Sequence, residues 1–80
     1  MRKNAEKIIG AFLDKAAAQD KTLRTDGATV WSYAMPIARW EDGRVHVLAY
    51  RDAPTATTRS HVRAVAELCR LTGTPTTEGL

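Results

Sequence analysis

The spacing of apolar residues predicts a helix near each end of the chain. Over roughly Lys3–Gln19, apolar side chains recur every three or four residues and form one stripe, while charged side chains take the opposite side. A second stripe of the same period predicts a helix over about Arg59–Leu71, and Thr72 followed by Gly73 is typical of a helix C-terminus. The hydroxyl side chains that are candidate N-caps of this second helix are Thr57, Thr58 and Ser60.

Between the helices, the residue pattern becomes that of β-strands. Asp42-Gly43 lies between two apolar runs and favours a two-residue type I′ turn, because Asp-Gly readily adopts two positive φ angles. The strands predicted on this basis are about Thr29–Ala34, Ile37–Glu41 and Arg44–Tyr50. Pro36 cannot donate a ladder hydrogen bond, so it marks an edge, a bulge or the start of a new strand.

The predicted fold is a single small α+β domain. Its order is helix, two- or three-stranded antiparallel sheet in a meander, and helix, with both helices on one side of the sheet. Thr22–Ala28 contains a turn signal and reads as a ragged strand before the meander. The domain spans residues 1–73, and we expect residues 74–80 to fray, because Pro75 and Gly79 interrupt a segment with little apolar surface.

The turn also fixes a register that sorts the strand side chains onto two faces. One face is apolar throughout and is predicted to receive the helices; it holds Ala38, Trp40, Val45, Val47 and Ala49. The second face mixes aromatic, aliphatic and basic side chains; it holds Ile37, Arg39, His46, Leu48 and Tyr50, joined by Trp31, Tyr33 and Met35 if the alternation continues past the proline.

Charge and composition narrow the choice of function without naming one. The formal net charge is +3, and residues 1–20, 21–50 and 51–80 each contain four Lys and Arg against three Asp and Glu. A cationic surface would therefore have to be assembled by folding. No run approaches the roughly 18 apolar residues of a membrane span, and no signal peptide is evident. A single cysteine, Cys69, excludes an internal disulfide and fits a cytoplasmic protein, where it is predicted to be a small core residue.

Two surfaces are candidates for binding. Aromatic rings beside guanidinium groups on a sheet are typical of single-stranded nucleic-acid binding; alternatively, that second face is covered by a helix or by a second copy of the chain in a homodimer. The arginines of the second helix form either a basic ridge for phosphate or an acidic partner, or an ordinary solvated face. The candidate surface residues are Trp31, Tyr33, Arg39, His46, Tyr50, Arg59, Arg63 and Arg70.

The sequence predicts no enzyme. Ser60, His61 and Asp52 are the residue types of a hydrolase triad, but no strand-turn-helix nucleophile elbow accompanies them. His46, His61 and Cys69 lack the clustered spacing of a zinc site. We therefore expect no catalytic residues, no metal and no cofactor.

A resemblance adds one expectation. The residues that carry it are Ser32-Tyr33, Pro36-Ile37-Ala38, Trp40, Gly43, Val45, Val47, Thr57-Thr58-Arg59-Ser60-His61 and Val65. Together they resemble small uncharacterised proteins of bacteriophages and related mobile elements, in which a hairpin precedes a helix that starts with Thr-Thr-x-x-His. The resemblance covers about half of the chain and implies a phage-type origin, and hence the host cytoplasm, but no known activity. The leading prediction is a small non-enzymatic interaction protein that binds and modulates a host or phage protein; the alternative is a nucleic-acid-binding module.

Overall fold

The computed structural model describes residues 3–80 as two helices and six strands with a short 3₁₀ helix. In chain order, the elements are α1 (Lys3–Leu13), β1 (Ala18–Gln19), β2 (Leu23–Thr25), β3 (Thr29–Ser32), β4 (Met35–Glu41), β5 (Arg44–Val47), the 3₁₀ helix (Tyr50–Asp52), α2 (Ala56–Thr72) and β6 (Thr76–Glu78). The predicted α+β class and the two flanking helices are correct. The predicted two- or three-stranded sheet is wrong.

All six strands form one mixed sheet in the order β1-β2-β3-β4-β5-β6. The first five are antiparallel neighbours, whereas β6 returns through α2 and pairs with β5 in parallel. Helix α1 packs on β1 to β3, α2 packs on β4 and β5, and the helices contact each other. Both helices therefore lie on the same side of the sheet, as predicted, and the opposite side carries no described helix.

The segment expected to fray contains the last strand. The amide of Val45 donates to the Pro75 carbonyl, and the amide of Gly79 donates to the Val47 carbonyl, both at 3.0 Å. Leu80 then packs against the core. The sequence offered no sign of this strand because Thr76–Glu78 is exposed throughout and has no apolar alternation.

The central hairpin has the predicted turn and register. Asp42 and Gly43 have φ angles of 54° and 75°, as a type I′ turn requires. The cross-strand pairs are Ala38 with Val47, Arg39 with His46, Trp40 with Val45 and Glu41 with Arg44. Local turn chemistry was sufficient to position this part of the sheet.

Helix α1 ends at Leu13, six residues before the predicted end at Gln19. Lys15 adopts a left-handed conformation, and the chain then enters β1 instead of a further helical turn. The Phe12 carbonyl at this helix end accepts from the amide of Lys15 at 3.0 Å and also from the indole nitrogen of Trp40 at 2.8 Å. The apolar period continued through the alanines of this region, but tertiary contacts terminated the helix.

Helix α2 begins earlier than predicted and ends where predicted. Its N-cap is Thr55, whose side chain accepts from the amide of Thr58 at 3.1 Å, so the three candidate caps were wrong. At the other end, Gly73 is left-handed with φ of 71°, and its amide points to the carbonyls of Cys69 and Arg70. This is the glycine stop that the sequence indicated.

A bulge in β4 changes the predicted faces of the sheet. The register between β3 and β4 shifts at Val30 and Trp31, so that Ile37 has no direct partner on β3. As a result, the adjacent residues Ile37 and Ala38 are both fully buried. Pro36 thus marks a bulge, one of the three options that the sequence left open.

The core lies between the sheet and the two helices. Ala38, Val45 and Val47 of the predicted apolar face are buried there, and Trp40 is half-buried against Phe12. Ile37 and Leu48, predicted for the second face, also join this core. Cys69 is buried as expected, and burial raises the pKa of its thiol.

Asp26 stabilises the turn between β2 and β3. One of its carboxylate oxygens accepts from the amide of Ala28 at 2.8 Å and from the amide of Thr29 at 2.9 Å. These two backbone hydrogen bonds hold the pKa of Asp26 below its usual value, the bond from Ala28 having the larger effect. The folded state therefore stabilises the ionised carboxylate of Asp26 more than the unfolded state does.

This arrangement predicts an acid-dependent contribution to stability. Because the pKa of Asp26 is lower in the folded state, its stabilising effect is complete above the unfolded pKa and disappears as the pH falls through the folded value. We expect Asp26→Asn to be less stable than the parent protein at pH 7 and the difference to shrink progressively below about pH 5. Urea unfolding of both proteins from pH 7 to pH 2 measures this, and a difference independent of pH would contradict it.

Candidate functional site

The candidate site is the side of the sheet that the helices leave uncovered, which we call the open face. Its charged and aromatic side chains come from four neighbouring strands, β2 to β5. Cross-strand pairing and strand alternation place on it Arg24, Trp31, Arg39, Glu41, Arg44 and His46. Their sequence neighbours on these strands, such as Leu23, Thr25 and Val45, are buried on the helix side. The alternation that builds the core therefore also builds this surface.

Arg24 and Trp31 form a stacked pair at one end of the open face. They are direct cross-strand partners on β2 and β3, and the guanidinium carbon of Arg24 lies 4.1 Å from the centroid of the Trp31 ring. Trp31 is half-buried while Arg24 is exposed. Stacking on a ring restrains the arginine but leaves its N–H groups free to meet an anion in the plane of the guanidinium.

The other end of the open face carries two more arginines and the only acidic side chain of the set. Arg39 donates to Glu41 at 3.0 Å, with the two side chains 51% and 47% exposed. An ion pair this exposed contributes little to stability and is easily exchanged for another anion. Arg44 is also exposed, and His46 is half-buried beside Arg39. The strand side chains of the open face thus comprise three arginines and one glutamate, and the Asp26 carboxylate in the β2–β3 turn lies close enough to Arg24 to interact with it.

The two tyrosines of the predicted surface lie elsewhere. Tyr33 is in the turn between β3 and β4, where it has φ of 56° and is 56% exposed. Tyr50 belongs to the 3₁₀ helix, and its hydroxyl accepts from Arg63 at 3.2 Å while the Arg63 guanidinium carbon lies 5.0 Å from the ring centroid. The predicted placement of Tyr50 on the second face fails because β5 ends at Val47.

The arginines of α2 are mostly engaged within the protein. Arg59 donates to the Ala53 carbonyl at 3.3 Å, and Arg63 is held by Tyr50. Arg70 donates to both carboxylate oxygens of Glu67, and this contact holds the pKa of Glu67 below its usual value. These contacts weaken the interpretation of α2 as a basic ridge awaiting a partner.

Three residues of the open face, Arg24, Glu41 and Arg44, were absent from the sequence-based set. Arg44 could have been predicted, because the hairpin register already placed it two residues from His46 on the same face. Arg24 could not, because its position depends on the pairing of β2 with β3, and no two-residue turn specifies that pairing. Sequence reasoning thus found three of the open-face residues, namely Trp31, Arg39 and His46.

His61 belongs to a buried group of side chains that joins α2 to β3. Its Nδ1 atom lies 2.7 Å from the hydroxyl of Ser32, which in turn lies 3.1 Å from the hydroxyl of Thr58. All three side chains are buried, with Ser32 only 1% exposed. The hydrogen bonds of buried Ser32 with Thr58 and His61 connect β3 to α2. Within residues 3–80 no cluster of histidine, cysteine and carboxylate side chains has the geometry to hold a metal ion.

Removing the central hydroxyl of this network should destabilise the protein. Ser32→Ala removes a buried hydroxyl that contacts both His61 Nδ1 and the Thr58 hydroxyl, and Thr58 keeps its bond from Thr55, so we expect a loss of about 2 kcal/mol in the free energy of unfolding. Ser60→Ala, at an exposed position of α2, is the control and should change stability by less than about 0.5 kcal/mol. Urea denaturation compares the two, and equal effects would show that the network contributes nothing specific.

A groove of about 510 Å³ lies on the helix side, between the start of α1, the β1–β2 turn and α2. Its charged lining residues are Asp20, Arg63 and Glu67. Among the described lining residues, the acidic side chains outnumber the basic ones by two to one. This contrasts with the excess of arginine over glutamate on the open face.

The fold and the open face define a small α+β protein with arginine side chains on the uncovered side of its sheet. No protein-family model, curated protein or solved structure matches the chain. Neither α1 nor α2 combines the length and apolar character needed to cross a membrane, and this holds for residues 3–80 as a whole.

Proposed function

We propose that this protein is a non-enzymatic nucleic-acid-binding protein that uses the open face of its sheet. The observation that carries the proposal is the cluster of Arg24, Arg39 and Arg44 against a single Glu41, on a sheet surface that no described helix covers. Phosphate contacts from arginine supply most of the affinity of such proteins. The cytoplasm is the compartment we propose for it.

The distribution of apolar side chains supports a charged rather than an apolar contact. Among the residues described, the large hydrophobic side chains that are exposed are Tyr33, Tyr50 and Leu71, on three different elements. A stable protein interface or homodimer usually needs a contiguous apolar core of several hundred Å². The open face instead presents arginines around one half-buried tryptophan.

A second candidate is the interaction protein of phage type, binding and modulating a host or phage protein through the same face. It is favoured by the Arg24–Trp31 pair at one end of that face, because tryptophan and arginine are among the commonest energetic centres of protein interfaces. The resemblance to phage proteins belongs to this candidate and stays a prediction.

The test is the salt dependence of DNA binding, measured by fluorescence anisotropy with labelled 20-nucleotide DNA in single-stranded and duplex form. Three arginine–phosphate contacts predict a slope of about −2 in log affinity against log salt, or a loss of roughly 20-fold between 50 and 200 mM. The triple variant Arg24→Gln, Arg39→Gln, Arg44→Gln should lose most of this affinity and slope.

The matched control removes the same number of charges from α2, with Arg59→Gln, Arg63→Gln and Arg70→Gln. It should bind nearly as the parent protein does, while circular dichroism verifies the fold of both variants. Binding to neither DNA form, or equal losses in the two triple variants, would overturn the proposal. A pull-down from bacterial lysate that retains one protein after nuclease treatment would then support the second candidate.

A further inference from the structure

We propose that the open face binds single-stranded rather than double-stranded nucleic acid, with one base stacking at the Arg24–Trp31 pair. This inference rests on the proposed function. It adds the class of nucleic acid, the place where a base is held and the direction in which the strand runs.

The shape of the face favours a single strand. Proteins that read duplex DNA insert a helix or a two-stranded ribbon into a groove about 12 Å wide. Here both helices pack on the far side of the sheet, and the open face consists of side chains from a continuous set of paired strands. A flexible single strand can follow such a surface and turn its bases toward it, whereas a rigid duplex touches it along a narrow line.

The positive charges extend across the strands rather than along one of them. Arg24 is on β2, Arg39 on β4 and Arg44 on β5. At about 4.8 Å between neighbouring strands, β2 and β5 are about 14 Å apart, and the pairing register displaces Arg44 from Arg24 by about four residues along the strands, or about 13 Å. The resulting diagonal of about 19 Å corresponds to roughly six nucleotides at the stacked spacing of 3.4 Å. We infer that the nucleic-acid strand crosses β2 to β5 diagonally, from the Arg24–Trp31 pair to Arg44.

The Arg24–Trp31 pair is the place where a base is held. With the guanidinium carbon 4.1 Å from the ring centroid, the cation lies over one side of the indole and marks a ring surface that a planar group can occupy. A base takes the place of Arg24 on the Trp31 ring, while the arginine meets the adjacent phosphate.

The protein's two tryptophans make this testable by fluorescence. Trp31 lies on the open face, whereas Trp40 is on the helix side, with its ring centroid 5.7 Å from that of Phe12 and its indole nitrogen bonded to a backbone carbonyl. Binding of a mixed-sequence 20-nucleotide single strand should quench Trp31 and leave Trp40 unchanged. The variant Trp31→Phe should therefore lose the quenching but keep its fold, which the Trp40 emission reports.

The binding experiment compares that single strand with the same sequence annealed to its complement, at 100 mM salt. We expect the single strand to bind at least about tenfold more tightly, and Trp31→Ala to lose about tenfold in affinity for it, since stacking of one base contributes about 1–3 kcal/mol. Trp31→Phe should lose less, because a smaller ring still stacks.

The outcomes separate this inference from the proposed function. Duplex binding as tight as single-strand binding, with the arginine dependence intact, would overturn the single-strand inference and leave the proposed function standing. Single-strand preference without quenching of Trp31 would overturn the stacking site. Salt-insensitive or absent binding to both forms would overturn the inference and the proposed function together.

Discussion

Replacing Gly27 by alanine is expected to destabilise the protein by about 3 kcal/mol. Gly27 has φ of 95°, and a methyl group built on it would lie 2.6 Å from the carbonyl oxygen of Lys15 and 2.8 Å from its carbonyl carbon. A positive φ costs an L-residue about 1–2 kcal/mol, and overpacking against a backbone adds about 1–3 kcal/mol. Because both contacts are with backbone atoms, no side-chain rotation relieves them.

Two other glycines provide matched controls for this effect. Gly43 also has a positive φ, of 75°, but has open space around it, so Gly43→Ala should cost only the conformational part, about 1 kcal/mol. Gly10 lies within α1 with no atom within 4 Å of an added methyl group, so Gly10→Ala should stabilise the protein by about 0.5–1 kcal/mol. Urea denaturation should find Gly27→Ala the least stable of the three variants, Gly43→Ala intermediate and Gly10→Ala the most stable. A Gly27→Ala protein as stable as Gly43→Ala would contradict the close packing of the turn on Lys15.

The largest expected loss is that of Phe12→Ala, about 4 kcal/mol. Phe12 is fully buried at the C-terminal end of α1, where its ring centroid lies 5.7 Å from that of Trp40. Removing a buried phenyl ring loses its transfer free energy and leaves a cavity. A domain of this size typically has a total stability of about 4–12 kcal/mol, so the variant should be partly or wholly unfolded at 37 °C.

Thermal unfolding followed by circular dichroism measures the effect. A loss of 4 kcal/mol corresponds to a decrease in Tm of roughly 16–32 °C for a domain of this length. Phe12→Leu serves as the intermediate control, since it keeps most of the apolar volume and should cost about 1.5 kcal/mol. A decrease in Tm of only a few degrees for Phe12→Ala would show that the contact between α1 and β4 is dispensable.

The two positions lie in one structural unit, because both act on the end of α1. The Phe12 carbonyl accepts from Trp40, and the turn at Gly27 packs on Lys15, just after the end of α1. These contacts hold α1 against β2, β3 and β4, the strands that carry most of the open face. We therefore expect variants of this unit to reduce binding through loss of fold, while the arginine variants reduce binding with the fold intact.

The sequence was sufficient wherever local chemistry decides the structure. Asp42-Gly43 has few alternatives to a type I′ turn, and that turn sets the pairing of β4 with β5 as observed. Gly73 likewise ended α2 as expected. The same hairpin placed Arg39 and His46 together on one face, so part of the candidate site followed from alternation alone.

The sequence failed where a distant residue decides. The apolar period ran through Ala16 and Ala17, and only the packing of Trp40 and of the turn at Gly27 on the end of α1 shows why the helix stops at Leu13. Ile37 moved to the core because a bulge, whose position depends on pairing with β3, breaks the alternation in β4. Tyr50 left the predicted face because β5 ends before it.

By itself, then, the sequence determined the two helices, the central hairpin and the α+β class, because period and turn chemistry act over a few residues. Only the tertiary structure decided the number of strands. Strands β1 and β6 have two and three residues, which is too few to show an alternation of apolar and polar side chains. They form because β2 and β5 provide hydrogen-bonding partners. The open face also depends on the tertiary structure. Strand pairing brings Arg24 next to Trp31, and the surface is uncovered because both helices pack on the other side of the sheet.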